Sequence, residues 1–268
     1  MTMQTRIRTA AEARQAGLII LGAGRPSVGR KHSALRIVGR DRKTLDWILH
    51  AFRKLVKNTV FVGGYEMQRV AEVFPNVDFV LNSAWNETGA AGSLLAAPIE
   101  EDQDCYVCYS DIVLRPELAR KMADAPEYEV VVAIDSRPEH ASGIRRTERE
   151  AIRINEDRAI GVGMAGPGRR AEFIGAVRFP AHTMSTLRAM KASADPALRQ
   201  GHLSAIVGAL IADGHNVHLV EAHGSWSDLD DDRDLTRFLF GTKAETLERL
   251  RERVSRSIIL EQVRIDVG

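Results

Sequence analysis

An apolar run that ends in a glycine-containing turn is the feature that most constrains the fold of this chain. Residues 18–21 read Leu-Ile-Ile-Leu, and residues 22–26 read Gly-Ala-Gly-Arg-Pro. An unbroken apolar run predicts a parallel strand that is covered on both faces. The glycines let the backbone approach a ligand closely, with N–H groups directed at phosphate oxygens, and Arg25 adds a permanent cation suited to phosphate. A tight turn without a ligand is the alternative interpretation.

Length and composition favour an ordinary α/β protein over several other classes. The chain has 268 residues, of which 44% are hydrophobic and 27% charged, enough for one large domain. A net charge of +1 gives no excess of cations for a nucleic-acid backbone, so we expect no nucleic-acid partner. No apolar run approaches the roughly 20 residues of a membrane span, and we expect a cytoplasmic protein with no membrane contact.

Strand-like and helix-like segments alternate along the first half of the chain. Buried strands are predicted at residues 60–62, 77–82, 104–110 and 130–135, with amphipathic helices between them. This alternation predicts an α/β fold: a single three-layer Rossmann-like (GT-A-like) domain with a mostly parallel mixed sheet and helices on both faces. Residues 136–170 change to short polar, arginine-rich segments, which we interpret as a hairpin-like insertion and a loop.

The domain division that follows has three parts. Residues 1–16 are predicted to form a helical lead-in, residues 17–240 the main domain, and residues 241–268 a helix–strand appendage. That tail could pack on the domain, mediate a homodimer, or begin a linker to an additional domain. Cys105 and Cys108 form a Cys-x-x-Cys pair inside a strand-like run, a placement that does not favour a redox or metal role.

Polar side chains collect where the predicted strands end, at the edge where open parallel sheets bind ligands. Tyr65 follows the second strand, Asp111 follows the fourth, and an acidic run at 228–234 follows the last. Two carboxylates with phosphate oxygens are a usual way to hold Mg²⁺. Helix caps are the plainer explanation for both acidic positions. The segment 86–89 precedes a small-residue helix whose first N–H groups we expect to be open to a ligand.

The order of these motifs resembles the nucleotidyltransferase family of GT-A-like fold, which includes the MobA-like and sugar-phosphate nucleotidylyltransferases. The similarity covers about residues 17–240. It is carried by the turn at 21–26, Gly-Gly-Tyr at 63–65, Asn82 with Gly-Ser-Leu-Leu at 92–95, Ser110-Asp111, Glu-Phe-Ile-Gly at 172–175, and Trp-Ser-Asp-Leu-Asp at 226–230 followed by Asp234-Leu235. The segment 82–89 resembles the phosphocholine and phosphonate cytidylyltransferases within that family.

The resemblance implies an Mg²⁺-dependent transfer of a nucleotidyl group, most simply from CTP, to an anionic phosphate- or phosphonate-bearing small molecule, with release of pyrophosphate. Asp111 and Asp230 would bind the metal, with Asp228 beside them. The nucleotide would be held by the residues of the turn and by three side chains near base and ribose: Leu21, Gly22, Ala23, Gly24 and Arg25, with Tyr65, Asn86 and Ser93. The arginines at 137, 145, 146, 149, 153, 169 and 170 would suit an anionic acceptor, although a solvated face is the equal alternative.

Two positions depart from the family pattern. The family has Pro-Lys-x-Leu after the glycine turn, whereas residues 32–35 here are His-Ser-Ala-Leu, which puts Ser33 in place of the phosphate-binding lysine. Lys31 would then be the catalytic cation beside Arg25 and Asp111, with Arg30 as a substitute. Pro26 also replaces the last glycine of the turn. The alternative function is a degenerate nucleotide-binding regulatory domain of a larger protein. A glycosyltransferase is ranked last, because Ser110-Asp111-Ile112 is not an Asp-x-Asp motif.

Overall fold

The computed structural model describes residues 16–26, 31–39, 41–100, 103–136 and 150–229, together with residues 235, 238 and 239. The strands are β1 (Ala16–Gly22), β2 (Val56–Gly63), β3 (Asp78–Leu81), β4 (Cys105–Tyr109), β5 (Ile112–Leu114), β6 (Val130–Asp135), β7 (Ala151–Asn155), β8 (Arg158–Val162), β9 (Arg169–Phe179), β10 (Val217–Glu221) and β11 (Trp226–Asp228). The α-helices are α1 (Thr44–Phe52), α2 (Met67–Val73), α3 (Ala90–Ala96), α4 (Pro116–Asp124), α5 (Met184–Ser193), α6 (Pro196–Gln200) and α7 (Leu203–Ala212). Short 3-10 turns lie at Ser33–Leu35 and Ala181–Thr183.

The main sheet has nine strands in the order β3-β2-β1-β4-β9-β6-β10-β8-β7. Strands β3, β2, β1 and β4 pair in parallel, as does β6 with β10. The long strand β9 is antiparallel to both β4 and β6, and the β7–β8 hairpin is antiparallel throughout. Since β7 also pairs with β9, the five strands β9, β6, β10, β8 and β7 close into a mixed barrel.

The main sheet is therefore mixed, as expected: seven of its strands run in one direction, and β8 and β9 run against them. Strand β9 enters the sheet from the β7–β8 hairpin, and a hairpin reverses direction whereas a helical crossover preserves it. The hairpin-like character predicted for residues 136–170 is found at β7 and β8. The apolar residues of β9 are typical of a strand but do not indicate which strands it pairs with.

Successive residues of β1 face opposite sides of the sheet and join two hydrophobic clusters. Leu18 and Ile20 pack with residues of α1, α2 and α4, whereas Ile19 and Leu21 pack with α3, α5 and α7. All seven residues of β1 are buried, as its unbroken apolar run predicts. Helices therefore cover both faces, which confirms the three-layer arrangement.

A second, two-stranded sheet lies beside the first and was not predicted. Strands β5 and β11 pair antiparallel, with Asp228 opposite Ile112 and Trp226 opposite Leu114. A small hydrophobic cluster of Val38, Val113, Leu229 and Phe238 covers this pair. The pairing returns the chain from β10 to the carboxyl end of β4.

Two of the predicted domain parts fall outside the described residues. The helical lead-in at 1–16 is described only at Ala16, which is the first residue of β1. The appendage at 241–268 lies entirely outside, and so do Arg30 and Asp230. No helix in the described part of the chain is long and apolar enough to cross a membrane.

Candidate active-site cleft

A cleft of about 380 Å³ opens at the carboxyl ends of β1 and β4. The glycine turn at residues 21–25 forms one wall, and Ser110 and Asp111 form the floor beyond β4. Ser33 lies on the turn side, and His202 lies at the amino end of α7. The remaining wall comes from the segment between β3 and α3 and from α3 itself, at Trp85, Thr88, Gly89, Ala90 and Ser93. The turn and Asp111, which are 86 positions apart in the sequence numbering, thus line one cavity.

His32 fixes the backbone of the glycine turn. Its imidazole is 1% exposed, its Nε2 lies 2.9 Å from the carbonyl oxygen of Gly22, and its Nδ1 accepts from the N–H of Ala34 at 3.1 Å. These contacts require the neutral tautomer that carries its proton on Nε2. Burial lowers the pKa of His32 from 6.5, against the opposing effects of the Gly22 carbonyl and the Glu66 charge. Sequence reasoning missed this residue, because it stands where the family has a proline.

Gly22 has no room for a side chain. A Cβ at this position would lie 2.2 Å from Cζ of Phe61 and 2.9 Å from the Ser110 hydroxyl oxygen. The turn therefore packs directly against the ring of Phe61, a residue of β2. Gly24 meets nothing within 4 Å and is exposed, so the backbone of the turn becomes accessible there.

Arg25 is exposed and stands over two aromatic rings. Its guanidinium carbon lies 5.4 Å from the ring centre of Tyr65 and 5.7 Å from that of Trp85. Tyr65 thus contacts the arginine and is not among the residues that line the cleft, whereas Trp85, which sequence reasoning missed, does line it. The available signal was an aromatic residue three positions after Asn82, in the segment that follows the third predicted strand.

A hydrogen-bond network holds the wall between β3 and α3. The buried Asn82 amide donates to the Thr88 hydroxyl at 2.9 Å and to the Ser93 hydroxyl at 3.2 Å. Ser93 lines the cleft but is only 4% exposed, and its hydroxyl also donates to the Gly89 carbonyl. Asn86 is exposed and lies outside the cleft lining.

The expectation that the first N–H groups of α3 are open to a ligand is wrong for two of them. The N–H of Gly89 donates to the Arg199 carbonyl at 2.8 Å, and that of Ala91 donates to the Gly201 carbonyl at 3.0 Å. The chain around α6 supplies these carbonyls and satisfies the helix end internally. No motif in the sequence indicates that these two segments meet.

Asp111 lies beside the chain that follows β11. The Leu229 N–H donates to the Asp111 carbonyl at 3.0 Å, and the Arg36 guanidinium donates to the Leu229 carbonyl at 2.9 Å. Asp228 is one residue before Leu229, and the predicted metal ligand Asp230, one residue after it, lies outside the described part. The groups that could bind a metal near Asp111 are carboxylate and carbonyl oxygens, which are the hard ligands that Mg²⁺ prefers. No group of three or more His, Cys, Asp or Glu side chains placed to hold a metal occurs in the described ranges.

The cations predicted to hold phosphate differ in their positions. Ser33, in place of the usual lysine, lines the cleft, while Lys31 is exposed and does not. Within the arginine-rich middle, Arg170 donates to the carbonyls of Met164 and Gly166, and Arg153 packs against Gly161. These two arginines stabilise the β7–β8–β9 region, and the members at 137–149 lie outside the described residues.

A half-buried acid–phenol pair, also missed, lies at the far end of the cleft. The Tyr109 hydroxyl donates to Glu150 and accepts from the Leu203 N–H at 3.0 Å. The other Glu150 oxygen accepts from the Ser204 N–H at 2.8 Å. Burial, reinforced by the Glu150 charge, raises the pKa of Tyr109 well above its ordinary value, so the hydroxyl remains a donor. Together the pair caps α7, which begins next to His202.

The two cysteines are structural. Cys105 and Cys108 lie on opposite faces of β4 as free, buried thiols. Burial raises the pKa of Cys105 to about 12, and that of Cys108 also rises. Neither thiol has the thiolate character that redox chemistry needs, which agrees with the prediction from the sequence.

Known proteins with similar sequences or folds include several cytidylyltransferases. The CTP:phosphoglutamine cytidylyltransferase of Campylobacter jejuni is 22% identical over 222 residues, which is 73% of this chain and 87% of that protein. The structure of the inositol-1-phosphate CTP transferase from T. maritima matches with a TM-score of 0.65 and 15% identity, over 83% of this chain and 92% of that one. The CTP:phosphocholine cytidylyltransferase from Streptococcus pneumoniae matches with a TM-score of 0.61 and 16% identity, over 82% and 96%.

The family match covers the strands and the turn from which the cleft is built. Residues 18–161 match the MobA-like NTP transferase domain, from the first strand through β8. That range includes the glycine turn, Ser33, Trp85 and Asp111. It spans more than half of the chain, and the shared fold of the solved structures extends beyond it. The chain belongs to the family of MobA-like NTP transferase domains.

Proposed function

We propose that this chain transfers a cytidylyl group from CTP to a small molecule that carries a phosphate or phosphonate, and releases pyrophosphate. The observation that carries the proposal is that the glycine turn with Arg25 and the Asp111 carboxylate face one cleft. A polyphosphate is bound by N–H donors and a cationic side chain. The reacting phosphorus also needs nearby carboxylates that can bind a metal ion. The cleft offers both within one site.

The reaction is a displacement at the α-phosphorus. An oxygen of the acceptor's phosphate or phosphonate forms a bond to the α-phosphorus. The bond between the α-phosphorus and the α–β bridging oxygen breaks, and pyrophosphate leaves with the bridging oxygen. Such transfers depend mainly on positioning and charge stabilisation. The turn at residues 21–25 would orient the β- and γ-phosphates, and Arg25 would bind them through its planar donors.

Asp111 and Asp230 would hold Mg²⁺, with Asp228 beside them. The metal would supply charge neutralisation between the α-phosphate and the incoming acceptor. The position of Asp111 directly after β4 supports this role, and so does the β5–β11 pairing, which brings the chain at 228–229 against it. Arg36, through its bond to the Leu229 carbonyl, would keep the two acidic segments together.

Relatives support cytosine as the base and a phosphorylated small molecule as the acceptor. The similar proteins named above act on phosphoglutamine, inositol 1-phosphate and phosphocholine, each with CTP. Ser93 and the Asn82–Thr88 network would lie near base and ribose, on the wall opposite Asp111. His202, which lines the cleft beside α7, is a candidate contact for the anionic acceptor.

A nucleotide-binding regulatory domain without transfer is the second candidate. Ser33 motivates it, because a neutral hydroxyl lines the cleft where the family resemblance calls for a lysine. Lys31 is exposed next to that position and would have to reach over the cleft. The two candidates agree on nucleotide binding and differ on pyrophosphate release.

The deciding experiment measures pyrophosphate release with Mg²⁺ and each of the four NTPs, against phospho-alcohols, phosphono-alcohols, phosphorylated amino acids and sugar phosphates. We expect release with CTP and one class of acceptor. Binding should be followed in parallel by thermal shift. Stabilisation by an NTP without release on any acceptor would favour the regulatory domain. Release with a purine nucleotide would contradict the assignment of the base.

A further inference from the structure

We propose that Tyr65 and Trp85 are positioning residues for Arg25, and that they hold its guanidinium ready for the polyphosphate of the nucleotide. The inference deepens and rests on the proposed function, because it assigns the two rings a role in phosphate binding. It also changes the role expected for Tyr65, which was to lie near the base.

Three neighbouring strands deliver the three side chains. In the sheet order β3-β2-β1, Trp85 follows β3, Tyr65 follows β2 and Arg25 follows β1. The connections are tied by backbone hydrogen bonds. The Tyr65 N–H donates to the Ala23 carbonyl at 2.9 Å, and the Asn82 N–H donates to the Gly63 carbonyl at 2.9 Å. The cluster is therefore built on the ends of a rigid sheet.

Gly64 makes room for the cluster. A Cβ at residue 64 would lie 2.4 Å from Cγ of Trp85, so the indole packs directly on this backbone. The Tyr65 and Trp85 rings then stand 6.0 Å apart at 60°, and the guanidinium lies within 5.7 Å of both centres. Such distances are those of cation–π contacts.

An arginine in cation–π contact keeps its ability to bind phosphate. The contact leaves the positive charge in place, and a guanidinium has five N–H donors with which it can bind an anion. Among the described residues no carboxylate is paired with Arg25, so none of the acidic side chains in that part of the chain neutralises its charge. Of the residues that line the cleft, Arg25 is the only lysine or arginine in the described part. Fixing this one long side chain lowers the entropy lost when an anion binds.

The test uses inorganic tripolyphosphate as the probe, titrated calorimetrically into the full chain at fixed ionic strength without added metal. We expect Arg25→Met to weaken binding most. Trp85→Leu and Tyr65→Leu should each weaken it about two- to tenfold, the range of a cation–π contact. Trp85→Phe and Tyr65→Phe keep a ring face and should bind nearly as the parent does. Circular dichroism and melting temperature show whether each variant folds.

A double-mutant cycle separates positioning from a general structural effect. If the rings act through Arg25, Arg25→Met/Trp85→Leu should bind tripolyphosphate no more weakly than Arg25→Met alone. If the double variant instead lost binding free energy equal to the sum of the two single losses, the proposal would be overturned. It would also be overturned if Trp85→Leu and Tyr65→Leu both bound tripolyphosphate as tightly as the parent protein. If Arg25→Met bound tripolyphosphate as tightly as the parent protein does, Arg25 would have no role in phosphate recognition. That result would overturn this inference and also the phosphate-binding role proposed above for Arg25.

Emission of Trp85 gives an independent readout. An anion bound to the guanidinium alters the electric field at the indole beneath it, so tripolyphosphate should change the emission spectrum. The chain has three tryptophans, and Trp47 and Trp226 do not line the cleft. The spectral change should therefore disappear in Trp85→Phe while calorimetric binding persists. A change that survives this substitution would contradict the proposal. If tripolyphosphate binding behaved as proposed but no pyrophosphate were released in the transfer assay, the proposed transferase activity would be refuted and the positioning role of the two rings would stand.

Discussion

The imidazole of His32 and the carbonyl of Gly22 are joined by a hydrogen bond of 2.9 Å, with the ring almost fully buried. The ring accepts from Ala34 on its other nitrogen, so both nitrogens are used. One side chain thus ties the loop after the glycine turn to the turn itself. A neutral ring is required, and the lowered pKa supplies it.

The first prediction concerns stability and pH. In the folded chain the pKa of His32 is lowered from 6.5, so below about pH 6.5 the unfolded chain binds more protons than the folded one. The contribution of His32 is therefore fully present above pH 6.5 and is lost as the pH falls toward the folded pKa. Urea unfolding at several pH values should show the parent losing stability faster than His32→Phe. Because the chain has eight histidines, the difference between the two proteins is the quantity to compare. Equal pH slopes would contradict the prediction.

A second prediction compares two glycines of the same turn. Gly22→Ala should destabilise the fold by about 1–3 kcal/mol, because its methyl group would collide with the ring of Phe61. Gly24→Ala is the matched control, since nothing lies within 4 Å of its Cβ position, and its stability should be close to the parent's. Thermal or urea unfolding measures both. An equal loss for the two variants would show that Phe61 is not the cause.

The third prediction tests the role of Asp111. Asp111→Asn should lower pyrophosphate release by about 100-fold or more, because a neutral amide replaces the carboxylate proposed to hold the metal that would stabilise the developing charge. The melting temperature should change little, since Asp111 lies at the rim and is only partly buried. Asp124→Asn, an exposed carboxylate at the end of α4, is the control and should keep parental activity. Full activity in Asp111→Asn would remove Asp111 from the site.

The fourth prediction concerns Arg178, a buried cation that has no part in the cleft. It is 3% exposed, and its guanidinium donates to the carbonyls of Met122 and Ala123 at 2.9 and 3.1 Å, near the carboxyl end of α4. Arg178→Met should destabilise the chain by about 3–5 kcal/mol, because those carbonyls lose their partner. Lysine cannot reproduce the planar set of donors, so Arg178→Lys should rescue only part of the loss. Parental unfolding midpoints for Arg178→Met would contradict this.

The sequence predicted best where one strand or one turn determines its own environment. The apolar run of β1 indicated a strand buried on both faces, and the glycine turn and Asp111 do meet at the carboxyl edge. Both follow from local pattern and from the rule for parallel strands. Neither rule covers β9, which follows the β7–β8 hairpin and runs antiparallel to β4 and β6.

What sequence reasoning missed depends on contacts between distant segments. The carbonyls that occupy the N–H groups of Gly89 and Ala91 come from residues about 110 positions later, and the partner of Tyr109 is Glu150. The indole of Trp85 reaches Arg25 because β3 and β1 flank β2. No residue spacing carries such information, since packing determines it.

The β5–β11 pairing has a consequence for where the chain can be shortened. All nine strands of the main sheet precede Ala222, whereas the neighbours of Asp111 at residues 228–229 come after it. A truncation after Ala222 would thus keep every strand of the main sheet and remove the segment that lies beside Asp111. The last residue needed for the main sheet and the last residue needed for the proposed site are therefore different positions. A protein shortened to its main sheet would keep the glycine turn and Asp111 in the same sheet and lack the chain that contacts Asp111.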